Sequence, residues 1–122
     1  MEVRKLPHHH GDNSLESIFD ELFEPQDFSA AAELFRQLGD PTRVRIFWLL
    51  CHREECVINI AAMLDMSSPA VAHHLRSLRS SGLLVSRREG KEVFYRAAKN
   101  ETARLLHHMI EQMLEITCPE DD

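Results

Sequence analysis

The stretch from residue 57 to 96 constrains the fold most, because its hydrophobic period changes from helical to alternating across Gly82. Residues 57–64 place Ile58, Ile60, Ala61 and Leu64 as the apolar positions of a short helix. Asp65-Met-Ser-Ser is a turn. Ser67 or Ser68 then caps a second helix, with Pro69 in the first turn, where a missing N–H costs nothing. That helix runs to about residue 80 with Val71, Leu75 and Leu78 facing inward, and Gly82 terminates it. Beyond it, Leu83-Leu-Val-Ser-Arg-Arg and Glu92-Val-Phe-Tyr-Arg are β-prone runs flanking Glu89-Gly90-Lys91. They predict a hairpin with glycine in its turn. Two short helices joined by about three residues and followed by a hairpin have the order of a helix-turn-helix with a wing.

The flanking segments are helical. Ser14 caps a helix through about residue 23, which Pro25 ends, and a second spans about 29–38 with Gly39 as its C-terminal cap. Asp40-Pro41 restarts the chain as N-cap and first residue of a helix over 42–51, whose core face is Val44, Ile46, Phe47, Leu49 and Leu50. His52-Arg-Glu-Glu is a polar break. The last helix, about 101–116, sets Leu105, Leu106, Met109, Ile110, Met113 and Leu114 on its apolar side. The fold class is thus mainly α with a β-hairpin wing. The expected organisation is a flexible arm over 1–13, a winged helix-turn-helix domain over 14–117, and an acidic tail over 118–122.

The formal net charge of −6 conceals an uneven distribution. Residues 67–96 carry Arg76, Arg79, Arg87, Arg88, Lys91 and Arg96 against Glu89 and Glu92, a local net charge of +4. Residues 1–35 and 97–122 are net −6 and −4. Affinity for nucleic acid depends on basic charge near phosphates, so the central segment is the candidate contact surface and the acidic ends face away. The second helix offers Ser67, Ser68 and His73 near its start, toward base edges or phosphates of double-stranded DNA. Arg76 and Arg79 lie further along, where phosphates are the expected partners. Arg87, Arg88 and Lys91 lie on the arms and tip of the hairpin, within reach of backbone or minor groove. His74 reads as neutral packing or solvent-facing.

Other classes find little support. No apolar run approaches the ~20 residues a membrane span needs. The start, Met1-Glu-Val-Arg-Lys, lacks the apolar stretch of a signal peptide, so a cytoplasmic location without membrane association is expected. Three cysteines, Cys51, Cys56 and Cys118, suit reduced thiols better than a disulfide framework. There is no phosphate-binding glycine loop, nucleophile elbow or His-Glu-x-x-His, so an enzyme is not expected.

Four segments carry a family resemblance: Leu38-Gly-Asp-Pro-Thr-Arg-Val-Arg-Ile, Glu55-Cys-Val-Ile-Asn-Ile-Ala, Ser67-Ser-Pro-Ala-Val-Ala-His-His-Leu-Arg-Ser-Leu and Gly82-Leu-Leu-Val-Ser-Arg-Arg-Glu-Gly-Lys-Glu-Val-Phe-Tyr. In this order, over roughly residues 30–116, the chain resembles the ArsR/SmtB family of bacterial repressors. The resemblance implies a homodimer built on the first and last helices. It also implies an imperfectly palindromic operator and release from it by a metal ion or another chemical signal.

The resemblance points to several sensing sites. One family site uses a Cys-Val-x-(Asp or Cys) pattern before the reading helix, joined by residues of the partner's N-terminal arm. Cys56-Val57 falls in register, Ile58 and Asn59 stand at the following ligand position, and His8, His9 and His10 lie in the arm. Such a sulfur and nitrogen set suits Zn(II). A second family site lies on the last helix, where the matching positions are Lys99, Glu101, Gln112 and Glu115. A shifted version uses Glu101, His108 and Glu115, seven apart on one face, with Glu111 three beyond His108. A third reading joins Cys51, Cys56 and Cys118 around a thiophilic metal, or as a regulatory disulfide or persulfide, with His52 adding a ligand. The alternative is a winged-helix regulator with no small-molecule inducer, controlled by a protein partner.

Overall fold

The computed structural model describes residues 7–8 and 23–117. Their contacts form two units, one ending at Phe35 and the other beginning at Arg36. The helix expected over 14–23 lies outside the described residues, apart from Phe23, which is not helical.

Helix α1 spans Pro25–Gln37. Pro25 is the first residue of this helix, ahead of the start expected near residue 29, because its fixed φ suits a first helical position. Asp27 accepts a hydrogen bond from the Glu24 N–H at 2.9 Å. Phe23 packs edge-on against Phe28 with centroids 5.7 Å apart, a hydrophobic staple across the helix start. At the other end, Gly39 is not left-handed; its N–H donates to the Arg36 carbonyl at 3.3 Å. Helix α2 spans Pro41–His52, and Asp40 caps it as expected, accepting from the N–H groups of Thr42 and Arg43 at 2.8 and 3.1 Å.

The polar break holds an unexpected strand. Strand β1, Glu55–Cys56, pairs antiparallel with the third strand, Glu55 opposite Tyr95 and Cys56 opposite Phe94. Glu55 is buried there because its carboxylate is fully engaged. It accepts from Arg53 Nη2 at 2.6 Å, Asn59 Nδ2 at 2.9 Å and the Cys56 N–H at 3.1 Å.

Helix α3, Val57–Leu64, ends on Asp65, which takes the left-handed conformation at φ 52°. Met66 and Asp65 donate back to the carbonyls of Ala61 and Ala62. Ser67 caps helix α4, Ser68–Ser80, accepting from the Ala70 N–H. The turn between the two helices is therefore Asp65-Met66-Ser67. Helix α4 closes the same way on Gly82, at φ 83°, with Leu83 and Gly82 donating to the Leu78 and Arg79 carbonyls. Strands β2, Leu84–Glu89, and β3, Glu92–Ala97, form the hairpin in the register Leu84–Ala97 through Glu89–Glu92. Gly90, at φ 63°, is the first of two turn residues, where a type II′ turn requires glycine. The sheet order is β1-β3-β2. Helix α5, Glu101–Thr117, is capped by Asn100, which accepts from the Ala103 N–H at 2.8 Å and donates to the Gly82 carbonyl.

Ile46, Phe47, Ile60, Val71, Leu75, Leu78 and Leu83 are fully buried and form the centre of the core. Each contributes about 1.5–3 kcal/mol. Two apolar faces are only partly buried in the single chain. Ile58 is exposed on α3, and on α5 only Ala103, Leu106 and Ile110 are buried, leaving Leu105, Met113 and Leu114 exposed.

Candidate nucleic-acid interface and metal-ligating residues

Helix α4 is held from one side only. Val71, Leu75 and Leu78 face the core, so the helical period turns Ser68, His73, Arg76 and Arg79 outward, and all four are exposed, as is Ser67 at the cap. Arg88 and Lys91 are exposed on the hairpin. Among the described residues, no ion pair engages Arg76, Arg79, Arg88 or Lys91.

Arg87 is different. Its guanidinium donates to Glu54 Oε1 at 2.6 and 2.9 Å and to Glu89 Oε2 at 2.7 Å, and it lies 4.6 Å from the centre of the Phe94 ring. The hydrogen bond from Arg87 holds the Glu54 carboxyl below its usual range. The charge of Arg87 is thus shared with two carboxylates, although the side chain stays exposed. Of the two alternatives for His74, the structure favours packing: it is half-buried and accepts from Arg43 Nε at 3.2 Å. Arg43 also donates to Gln37, as does Ser77, so the start of α2 and the middle of α4 are joined through a buried amide.

Among the described residues, no three of the predicted ligands converge. Cys56 is buried at the start of α3, and Cys51 is half-buried in α2; both are free thiols. Burial, then the nearby Glu111 charge, pushes the Cys51 thiol up to about 11. Cys118, His9 and His10 lie outside the described residues, and His8 is exposed. Glu101, His108 and Glu115 are exposed on α5.

Among the described residues, one group of three metal-capable side chains converges: His52, His107 and Glu111. His52 ends α2, while His107 and Glu111 are one turn apart on α5, which packs against α2. Glu111 Oε1 lies 3.2 Å from His52 Nε2 and 3.0 Å from His107 Nε2, and the two imidazole nitrogens are 3.3 Å apart. Trp48 Nε1 donates to the same oxygen at 3.1 Å. Burial works to raise the Glu111 carboxyl, but the hydrogen bonds from Trp48, His107 and His52 outweigh it and hold the group low. The sequence offered a partial signal in the His107–Glu111 spacing, and only packing adds His52.

A short helix, a three-residue turn, an outward-facing second helix and a glycine-tipped hairpin define a winged helix-turn-helix protein. Residues 40–86 match the family model described as bacterial regulatory protein, arsR family. The chain is 39% identical over 84 residues to the transcriptional repressor SmtB homolog of Synechocystis, an alignment covering 69% of this chain and 64% of that protein, under two thirds of its length. It is 36% identical over 84 residues to the arsenic resistance transcriptional regulator ArsR2 of Pseudomonas putida, covering 68% of this chain and 72% of that one. A homodimeric winged helix-turn-helix DNA-binding domain from Mycobacterium bovis, described as a possible ArsR-family regulator, superposes with a TM-score of 0.64. It is 25% identical and covers 93% of this chain and 94% of its own. The chain belongs to the ArsR/SmtB family of winged helix-turn-helix regulators. These relatives are transcriptional regulators, not enzymes.

Proposed function

We propose that the chain is a sequence-specific repressor that binds double-stranded operator DNA as a homodimer and is released by a metal ion or thiol-reactive signal. The observation that carries this reading is the solvent-facing side of α4, with Ser67, Ser68, His73, Arg76 and Arg79 all exposed beside the cationic hairpin. A helix of this width fits the major groove, and Arg88 and Lys91 reach flanking phosphates. Arg87 stays within reach of DNA but first has to leave Glu54 and Glu89.

Self-association is supported by α5, where Leu105, Met113, Leu114 and Ile116 are 58%, 54%, 45% and 77% exposed in the single chain. The homodimeric relative from Mycobacterium bovis supports it as well. Two-fold symmetry would set two reading helices about one DNA turn apart, on an imperfect palindrome. The arsenic and SmtB-type names of the relatives support a metal or thiophilic signal. No described helix is long and apolar enough to cross a membrane. We place the protein in the cytoplasm, where its DNA would be.

The test is fluorescence anisotropy with reduced protein on DNA from its own promoter, titrated with Zn²⁺, Cd²⁺, Cu⁺, arsenite, an oxidant and a persulfide donor. The expected result is specific binding that one class of signal weakens about 5–150-fold, a coupling of about 1–3 kcal/mol. Tight binding indifferent to all of them would overturn the release and favour control by a protein partner.

A further inference from the structure

We infer that His52, His107 and Glu111 form a sulfur-free binding site for a Zn²⁺-like divalent cation within each subunit, joining the end of α2 to the middle of α5. This deepens the metal-release reading and rests on it only for the consequence at DNA. Binding itself is tested without DNA.

The geometry carries the assignment. The three donor atoms are 3.0, 3.2 and 3.3 Å apart. Ligands at 2.0–2.1 Å in a tetrahedron are separated by about 3.3 Å, so an ion slightly above this triangle reaches all three without rearranging the backbone. Hydrogen bonding alone explains the cluster poorly. Three nitrogens, from Trp48, His52 and His107, crowd one carboxylate oxygen that has two lone pairs. A cation turns the two imidazole lone pairs inward and leaves Trp48 as the single N–H donor to the carboxylate.

The surroundings complete the site. Trp48 Nε1 orients Glu111, and the Trp48 and His52 rings lie 4.6 Å apart, which fixes the imidazole. Such supporting hydrogen bonds accompany most metal ligands. His52 and His107 line a cavity of about 410 Å³, together with Cys51, Lys99, Asn100 and Arg104. It gives an ion a way in and a water the fourth coordination position. Two imidazoles and a carboxylate select borderline ions such as Zn²⁺ over Cu⁺ or arsenite, which prefer thiolates.

The experiment titrates the reduced, metal-free full chain with Co²⁺ and then displaces it with Zn²⁺. One Co²⁺ per chain should give visible bands of four-coordinate intensity without thiolate charge transfer in the near ultraviolet. Emission from Trp48, the only tryptophan, should change in step. His107→Gln and Glu111→Gln should each weaken binding by ~100-fold or more, and Trp48→Phe by about 10–100-fold. Circular dichroism checks that each variant folds; if one does not, the wild-type spectrum and Trp48 response decide. Wild-type affinity in the folded ligand variants, a thiolate-dominated spectrum, or no bound ion would overturn the site. Binding at the triad that leaves operator affinity unchanged would keep the site and sink only the release reading.

Discussion

Replacing Glu55 tests whether a buried carboxylate, rather than apolar packing, anchors the strand that leads into the helix-turn-helix. Its carboxylate binds three donors of unequal weight. Arg53 is 59% exposed on its side chain, so that ion pair contributes little beyond what water supplies. Asn59 is exposed and can return to solvent. The Cys56 N–H is buried, and losing its partner costs about 1–3 kcal/mol. Glu55→Ala should therefore destabilise the protein by about 2–3 kcal/mol, including lost packing. At a urea slope of about 2 kcal/mol per M, the unfolding midpoint moves down by about 1–1.5 M. Glu55→Gln retains an acceptor for the Cys56 N–H and should cost roughly half as much. The carboxyl is held below its ordinary value of 4.5, first by the hydrogen bond from Asn59. Its charge-dependent contribution is thus present above pH 4.5 and lost as pH falls through the lower folded value. Urea titrations at fixed protein concentration, at pH 7 and below pH 4.5, measure both effects. Equal stability of wild type and Glu55→Ala at pH 7 would refute the anchoring role. An equal loss on acidification in Glu55→Gln would refute the titration argument.

Three further outcomes are expected. Arg88→Ala and Lys91→Ala should each weaken DNA binding and reduce the salt slope by about 1, while Arg87→Ala should change it less, because Glu54 and Glu89 already engage that guanidinium; salt-dependent anisotropy decides. Asp40→Ala should destabilise by about 0.5–2 kcal/mol and Asp40→Asn by much less, measured by thermal unfolding. The backbone N–H of Arg43 chiefly holds the Asp40 carboxyl low, so the difference from Asn should shrink only as pH falls below the ordinary 3.8. Gly90→Ala meets no atom within 4 Å yet should cost about 1–2 kcal/mol from its positive φ alone, visible as a lower unfolding midpoint.

Much of the fold was legible in the sequence because its determinants are local. Asp40 with Pro41, Ser67 with Pro69, Gly82 and Gly90 each act within a few residues, so helix α2, helix α4 and the hairpin fall where their caps and turns place them. The exposed positions along α4 follow from the helical period once Val71, Leu75 and Leu78 are assigned inward. Strand β1 was not legible, since two residues have no periodicity and one of them is a carboxylate. The apolar face of α5 was legible, but not how it divides: the single chain buries Ala103, Leu106 and Ile110 and leaves Leu105, Met113 and Leu114 exposed.

The sequence by itself determined helices α2 to α5 and the wing, because caps, turns and hydrophobic periods are decided by neighbours along the chain. Tertiary structure alone decided which charged and metal-capable groups meet. Arg87 reaches Glu54 across 33 residues. His52 joins His107 across 55 and Glu111 across 59. Such pairings depend on how α2 packs against α5 and how β1 docks on the hairpin, and separations of that length leave no periodic trace in the sequence.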